Sequence, residues 1–289
     1  MTTTHPTLLA AQHVNALRAG LAYLPADQRA LPADLQDSID LAEAVVALPK
    51  ANLAGALERR LGAEIAATGT AATLDAAITA AAAEAWRQQV LNAMRAPMVN
   101  GCATRTIEAA HRAAAILRKR ALPVFAKHTA ALTAAAKLLP SPDPLDARAV
   151  IEADVGKAFT DAKAHVGALI AIGGLVSVVA PRHVTPSAGP IIAVIDPGEV
   201  EMEMLHPQTE GRLNTDTALA HINVVRALLD AADKDITATM IMVARGEFDG
   251  ITTALAEPGD PMAARAEAFS RAQVQRRAYE VHRGHAVLA

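Results

Sequence analysis

Cys102 is the only cysteine among 289 residues, and it follows Asn100-Gly101 three positions before Arg105. A thiol at a helix start beside a guanidinium is held as thiolate, the reactive form. His111 and His128 are the bases within sequence reach, although neither spacing forms a protease signature. A lone cysteine is more often a small buried apolar residue. A second candidate is the row Glu199, Glu201 and Glu203, alternating with Val200, Met202 and Met204 and followed by His206. On a strand these carboxylates share one face, where they could hold a hard cation or supply acid–base chemistry. The same alternation describes a half-buried strand with its acids in water.

Other fragments are weaker. His282 and His285 have a spacing that can chelate zinc, but no cysteine or carboxylate cluster accompanies them. Gly156-Lys157 lacks the upstream glycine and the following hydroxyl of a phosphate loop, since Ile151 and Ala158 occupy those positions. No HExxH, GxSxG, paired CxxC or GxGxxG pattern occurs. The sequence therefore assigns no catalytic residue, metal or cofactor, and an enzyme working near Cys102 or the 199–203 strand is the third of three readings.

The strongest pattern is electrostatic. Between Trp86 and Pro142 lie nine Lys/Arg and one acid, Glu108, a local charge of about +8 in a chain of net charge -3. On an ideal helix Arg105, Arg112, Lys119, Arg120, Lys127 and Lys137 fall within an arc of roughly 100°. Ile107, Leu122, Val124, Phe125, Leu132 and Leu139 lie opposite. A solvated face ordinarily mixes both signs, so a one-signed stripe calls for an anionic partner. The near absence of aromatics around it argues against a single-strand reader, leaving duplex phosphates or protein acids. Residues 196–260 hold thirteen acids against four bases, including Glu199, Glu201 and Glu203, and form a matching acidic docking face. Charge-complementary docking, within the chain or head-to-tail between subunits, is the favoured reading. Nucleic acid is the alternative.

The elements that must carry these residues are helical. The chain has 69 alanines but only 4 Phe, 2 Tyr and 1 Trp. Arg outnumbers Lys 20 to 7, a sign of a GC-rich genome, yet 16 Gly and 16 Pro show no matching rise. Helix selection therefore adds to codon bias. Helices are expected over about 34–48, 50–67, 71–95 (ending before Pro97), 104–139 (kinked at Pro123) and 145–172. After Gly173-Gly174 the pattern changes to a strand–turn–strand over 190–205, a helix over 215–233, an ambiguous stretch at 236–244 and a final helix starting at Asp260-Pro261.

The expected fold is mainly α with a smaller α+β part: long alanine-rich helices packed as a bundle or extended hairpin, then a short β-hairpin-containing region. Its domains are 1–139, a proline-rich linker at 140–144, and 145–289. The longest apolar run, 166–180, falls short of a membrane span and is interrupted by two glycines. With no basic-apolar signal at its start, the chain reads as cytoplasmic or incorporated into a particle, not secreted. These features describe a structural or assembly protein forming a homo-oligomer or larger protein assembly, with a virion or phage-type particle as one setting.

Overall fold

The computed structural model describes residues 6–48, 56–68, 70, 74–140, 146–177, 189–198 and 215–270. The protein is mainly α-helical with a small β part. Its elements are α1 (Pro6–Leu21), a 3-10 turn (Ala26–Gln28), α2 (Ala33–Ala47), α3 (Ala56–Thr68), α4 (Leu74–Ala136), α5 (Ala147–Glu152), α6 (Gly156–Gly173), α7 (Gly189–Ile192), β1 (Ile195–Asp196), α8 (Thr215–Lys234), α9 (Ile236–Arg245), β2 (Thr252–Thr253) and α10 (260–270).

Two expectations about helix ends are corrected by α4. It runs for 63 residues through Pro97, Gly101 and Pro123, where the sequence suggested a stop and a fresh start. Each proline removes one backbone donor and crowds the preceding turn. Both prolines are solvent-exposed, so water can reach the carbonyls they leave without an intrahelical partner. The flanking alanines supply high helix propensity on either side. Conversely, the single helix expected over 145–172 is two, α5 and α6. Asp146 caps α5 by accepting from the backbone N–H of Arg148 at 2.9 Å, and Asp154 then takes a positive φ of 54° that ends the turn. Residues 6–21, ahead of the first helix expected from the sequence, form α1 with Pro6 as its first residue, where the missing N–H costs nothing.

The chain divides into two compact units. The first comprises the described residues of 1–12 and 31–109, and the second those of 13–30 and 110–289, so α4 contributes its first 36 residues to one unit and the rest to the other.

In the first unit the core is small. Leu35, Ile39 and Val45 of α2 are buried with Ala103, Thr106 and Ala109 of α4. The two buried hydroxyls are satisfied: Ser38 Oγ donates to the Asp34 carbonyl at 2.7 Å and Thr106 Oγ1 to the Ser38 carbonyl at 3.3 Å.

The second unit holds most of the core. Leu17 and Leu24, Leu117 and Leu132 of α4, Leu169 and Ile172 of α6, Ile191–Ile195, Leu228 of α8 and Met240 and Ile241 of α9 are all essentially inaccessible. Glycine permits the closest approach. A Cβ on Gly20 of α1 would lie 2.6 Å from the Ala171 carbonyl oxygen of α6, so only a bare backbone fits that crossing. The stretch at 236–244 resolves as helix α9. Asp235 caps it by accepting from Thr237 N–H at 2.7 Å and Ala238 N–H at 3.0 Å, and Gly246 closes it in the left-handed conformation.

The β part differs from expectation. Residues 189–192 form a helical turn, and Ile195–Asp196 pairs antiparallel with Thr252–Thr253, Ile195 opposite Thr253. The expected return strand at 199–205 lies outside the described residues. Two residues per strand give little ladder energy. Backbone bonds from the Ala254 N–H to the Val194 carbonyl at 2.9 Å and from the Ala256 N–H to the Ala193 carbonyl at 2.8 Å extend the contact, and side-chain anchoring adds to it.

Candidate functional site

Arginine supplies much of that anchoring in the second unit. Arg265 of α10 donates to the Ala254 carbonyl at 2.9 Å and to Asp196 Oδ2 at 3.1 Å, tying both strands to one helix. Burial lowers its pKa from the ordinary arginine value, and the Asp196 carboxylate pulls the other way. Arg118 of α4 reaches the same segment, its Nε donating to the Ala256 carbonyl at 2.9 Å. Arg245 of α9 caps the end of α4, donating to the carbonyls of Ala136 at 2.8 Å, Leu139 at 2.6 Å and Pro140 at 2.7 Å while pairing with Glu247 at 3.1 Å.

The six cations of the basic stripe therefore do not all have one role. Arg120 is half-buried, and its Nη1 donates to the Ala30 carbonyl at 2.6 Å, holding the segment before α2. Arg112, Lys119 and Lys127 are exposed on the second unit's part of α4, Lys137 is exposed in the turn just after it, and Arg105 is exposed on the first unit's part. The opposite side of the same helix is buried at Ala114, Leu117, Ala121, Phe125 and Leu132. The acids expected to face them, Glu199, Glu201 and Glu203, lie outside the described residues, as do His206, His282 and His285. Exposed acids of the second unit that are described include Asp233, Asp249, Glu257 and Asp260.

Cys102 is half-buried in the interior of α4, about eight turns past its first residue. The thiolate argument required a helix start there, and an unbroken helix supplies no exposed N–H groups at that point. His111 is exposed on α4. His128 instead meets a residue the sequence did not single out: its Nδ1 lies 3.0 Å from Nδ1 of His165 on α6, with the Tyr23 ring edge-on at 5.9 Å between centroids. One imidazole donates and the other accepts, so the contact requires at least one ring to be neutral. Burial, then the charges of His165 and Lys127, push the His128 pKa below the ordinary histidine value.

A third histidine, His221 of α8, sits against two glycines. Its Nε2 donates to the Pro197 carbonyl at 2.7 Å, and Gly198 and Gly250, with φ of 75° and 71°, leave room for the ring. Asp196 Oδ1 accepts from the Gly198 N–H at 3.1 Å. These bonds fix the loop after β1. Among the described residues no group of three or more His, Cys, Asp or Glu side chains converges as a metal site would need.

The first unit's part of α4 has two distinct faces. Ala77, Ala81, Glu84, Gln88, Leu91, Arg95, Met98 and Cys102 are all half-buried and spaced alternately by four and three, a heptad seam. Its polar members are bonded: Gln88 Nε2 donates to Glu84 Oε1 at 2.9 Å and Arg95 Nη2 to the Val46 carbonyl at 3.1 Å. The polar seam hid this periodicity from a reading that looked for apolar repeats. Away from the seam, Leu74, Ile78, Trp86 and Met94 are exposed, Trp86 at 68 %. Together with Ala82 and Val90 they form an i, i+4 ridge winding around the helix.

No helix among the described residues is long and apolar enough to cross a membrane. Comparison with protein-family models, with curated proteins and with solved structures found no match to this chain.

Proposed function

We propose that the protein is a structural, assembly-forming component that docks through the basic face of α4 onto acidic protein surface. The observation that supports this most directly is the exposure of Arg112, Lys119 and Lys127 along one helix, with Lys137 in the turn that follows, while the opposite side of that helix is buried in the second unit. A lysine head carried on a rigid, anchored helix presents its charge at fixed spacing, the arrangement that sets register between complementary surfaces. The acid-rich 196–260 region of a neighbouring subunit has the required sign. Arg118 and Arg120 are excluded from this face because backbone carbonyls already occupy them.

The test is the mass of the full chain in solution at low and at high salt, with the Lys119→Glu/Lys127→Glu variant beside it. A larger mass at low salt than at high salt is expected, and the double variant should show the high-salt mass under both conditions. A low-salt mass unchanged by the double reversal overturns the reading. Retention of duplex DNA by the parent chain, but not of an acidic polypeptide such as polyglutamate, replaces it with phosphate binding.

A further inference from the structure

We propose that residues 74–98 of α4 pair antiparallel with the same segment of a second copy, about a two-fold axis at Trp86. This rests on the assembly reading and names one of its contacts.

The ridge is the starting point. Leu74, Ile78, Ala82, Trp86, Val90 and Met94 follow one another at intervals of four, and the large members Ile78, Trp86 and Met94 are 50 %, 68 % and 51 % exposed. An exposed tryptophan between exposed aliphatic side chains is an unusual surface for a lone helix, and Trp is the residue most enriched at binding hot spots. A ridge along an i±4n row fits the groove beside the same row on another helix, the commonest way two helices cross. The identical segment supplies that row. About a two-fold axis beside Trp86 the row is self-complementary: Ala82 comes level with Val90 of the second copy, and the small Ala82 leaves space beside each indole. Ile78 and Met94 lie at the margins because the row turns about 40° every four residues.

Charge selects both the partner and its direction. The segment carries Asp75 and Glu84 before Trp86 and Arg87 and Arg95 after it, so its net charge is zero and its ends are opposite in sign. Two copies approach without net repulsion, which the strongly positive 105–137 stretch would not allow. Glu84 and Arg95 lie in the seam and are bonded within their own chain, so direction rests on the exposed Asp75 and Arg87. Antiparallel alignment turns the acidic start of one copy toward the Arg87 half of the other, whereas parallel alignment sets like against like. A membrane surface is a poorer occupant, because an interfacial helix needs lysine and arginine lining its polar side, and here that side is a half-buried seam of Glu84, Gln88 and Arg95.

Trp86 is the chain's only tryptophan, so its emission reports on this site alone. With the full chain at high salt, where charge-driven docking is suppressed, emission is expected to shift to the blue with rising concentration as sedimentation shows dimers. Trp86→Glu should weaken the dimer at least about tenfold without loss of helix by circular dichroism. On a Cys102→Ser background, Ala82→Cys and Val90→Cys chains should cross-link to each other far better than either does to itself. A chain that stays monomeric at high salt with water-exposed Trp86, or a dimer unaffected by Trp86→Glu, overturns the pairing. Equal self-cross-linking at both positions overturns its antiparallel sense. A blue shift that requires phosphatidylcholine–phosphatidylserine vesicles overturns it in favour of lipid. Low-salt assembly that survives loss of the pairing leaves the docking reading standing. Dimers that persist at high salt while Lys119→Glu/Lys127→Glu changes nothing at low salt remove docking alone.

Discussion

Residues 74–102 and 110–136 of α4 share a backbone conformation and an alanine-rich composition, yet they live in different surroundings. In the first stretch no residue is fully buried, and the side turned inward carries Glu84, Gln88 and Arg95. In the second, Ala110, Ala113, Ala114, Leu117, Ala121, Phe125, Leu132, Ala135 and Ala136 are buried. Helix propensity is alike in both, so propensity alone does not separate them. What separates them is how much apolar surface each removes from water, the term that gives helices most of their stability in folded proteins. The second stretch is scaffold, and its outer cations are held in place by the core behind them. The first is a helix with an apolar ridge left over.

The largest expected effect tests that contrast at its buried end. Leu117 is 0 % exposed, and Leu117→Ala should destabilise the second unit by about 2–5 kcal/mol in a denaturant titration. A loss below about 1 kcal/mol would mean the burial gradient along α4 is shallower than described. Next comes the end of the helix. Arg245→Met removes a guanidinium from three carbonyls and should cost about 2–3 kcal/mol by the same measurement, with faster amide exchange over the last turns of α4.

The third prediction concerns pH. Because the folded protein holds the His128 pKa below the ordinary value, the unfolded chain takes up a proton first as pH falls. Stability is complete above about pH 6.5 and declines as pH drops from there through the lowered folded-state pKa. Thermal melts from neutral to mildly acid pH should show this decline, smaller in His128→Phe. An equal slope in the variant would place the proton uptake elsewhere. The smallest effect is at the exposed end: Trp86→Ala, measured where the chain is monomeric, should change stability by no more than about 0.5 kcal/mol. A larger loss would show the ridge already packed within its own unit.

Much of this contrast is legible in the sequence, though not its cause. The amphipathic character of 104–139 is visible from the spacing of its cations against Leu122, Phe125 and Leu132, although Leu122 proves exposed. The caps at Asp146 and Asp235 match the local rule that a carboxylate satisfies free N–H groups at a helix start. Prolines misled more than any other residue type. Pro97 read as a stop and Pro123 as a kink, yet both lie within one continuous helix, because a proline at an exposed position loses one hydrogen bond while the turns on either side remain intact. The His128–His165 contact had no sequence signal, since the two residues are 37 positions apart on helices whose crossing is set by packing. The same holds for the arginines. Nothing in a run of Arg118, Lys119 and Arg120 says that the first and last will be drawn inward onto carbonyls while the middle one stays in water.

The sequence by itself determined that this chain is mainly helical, that its cations and acids are segregated, and where several helices begin. Those properties depend on neighbours within a turn or two. Tertiary structure decided which face of α4 is covered, which arginines are structural, and that β1 pairs with a strand more than fifty residues later. These depend on which distant backbone carbonyls and apolar surfaces come within reach once the helices pack, and local spacing carries no record of that.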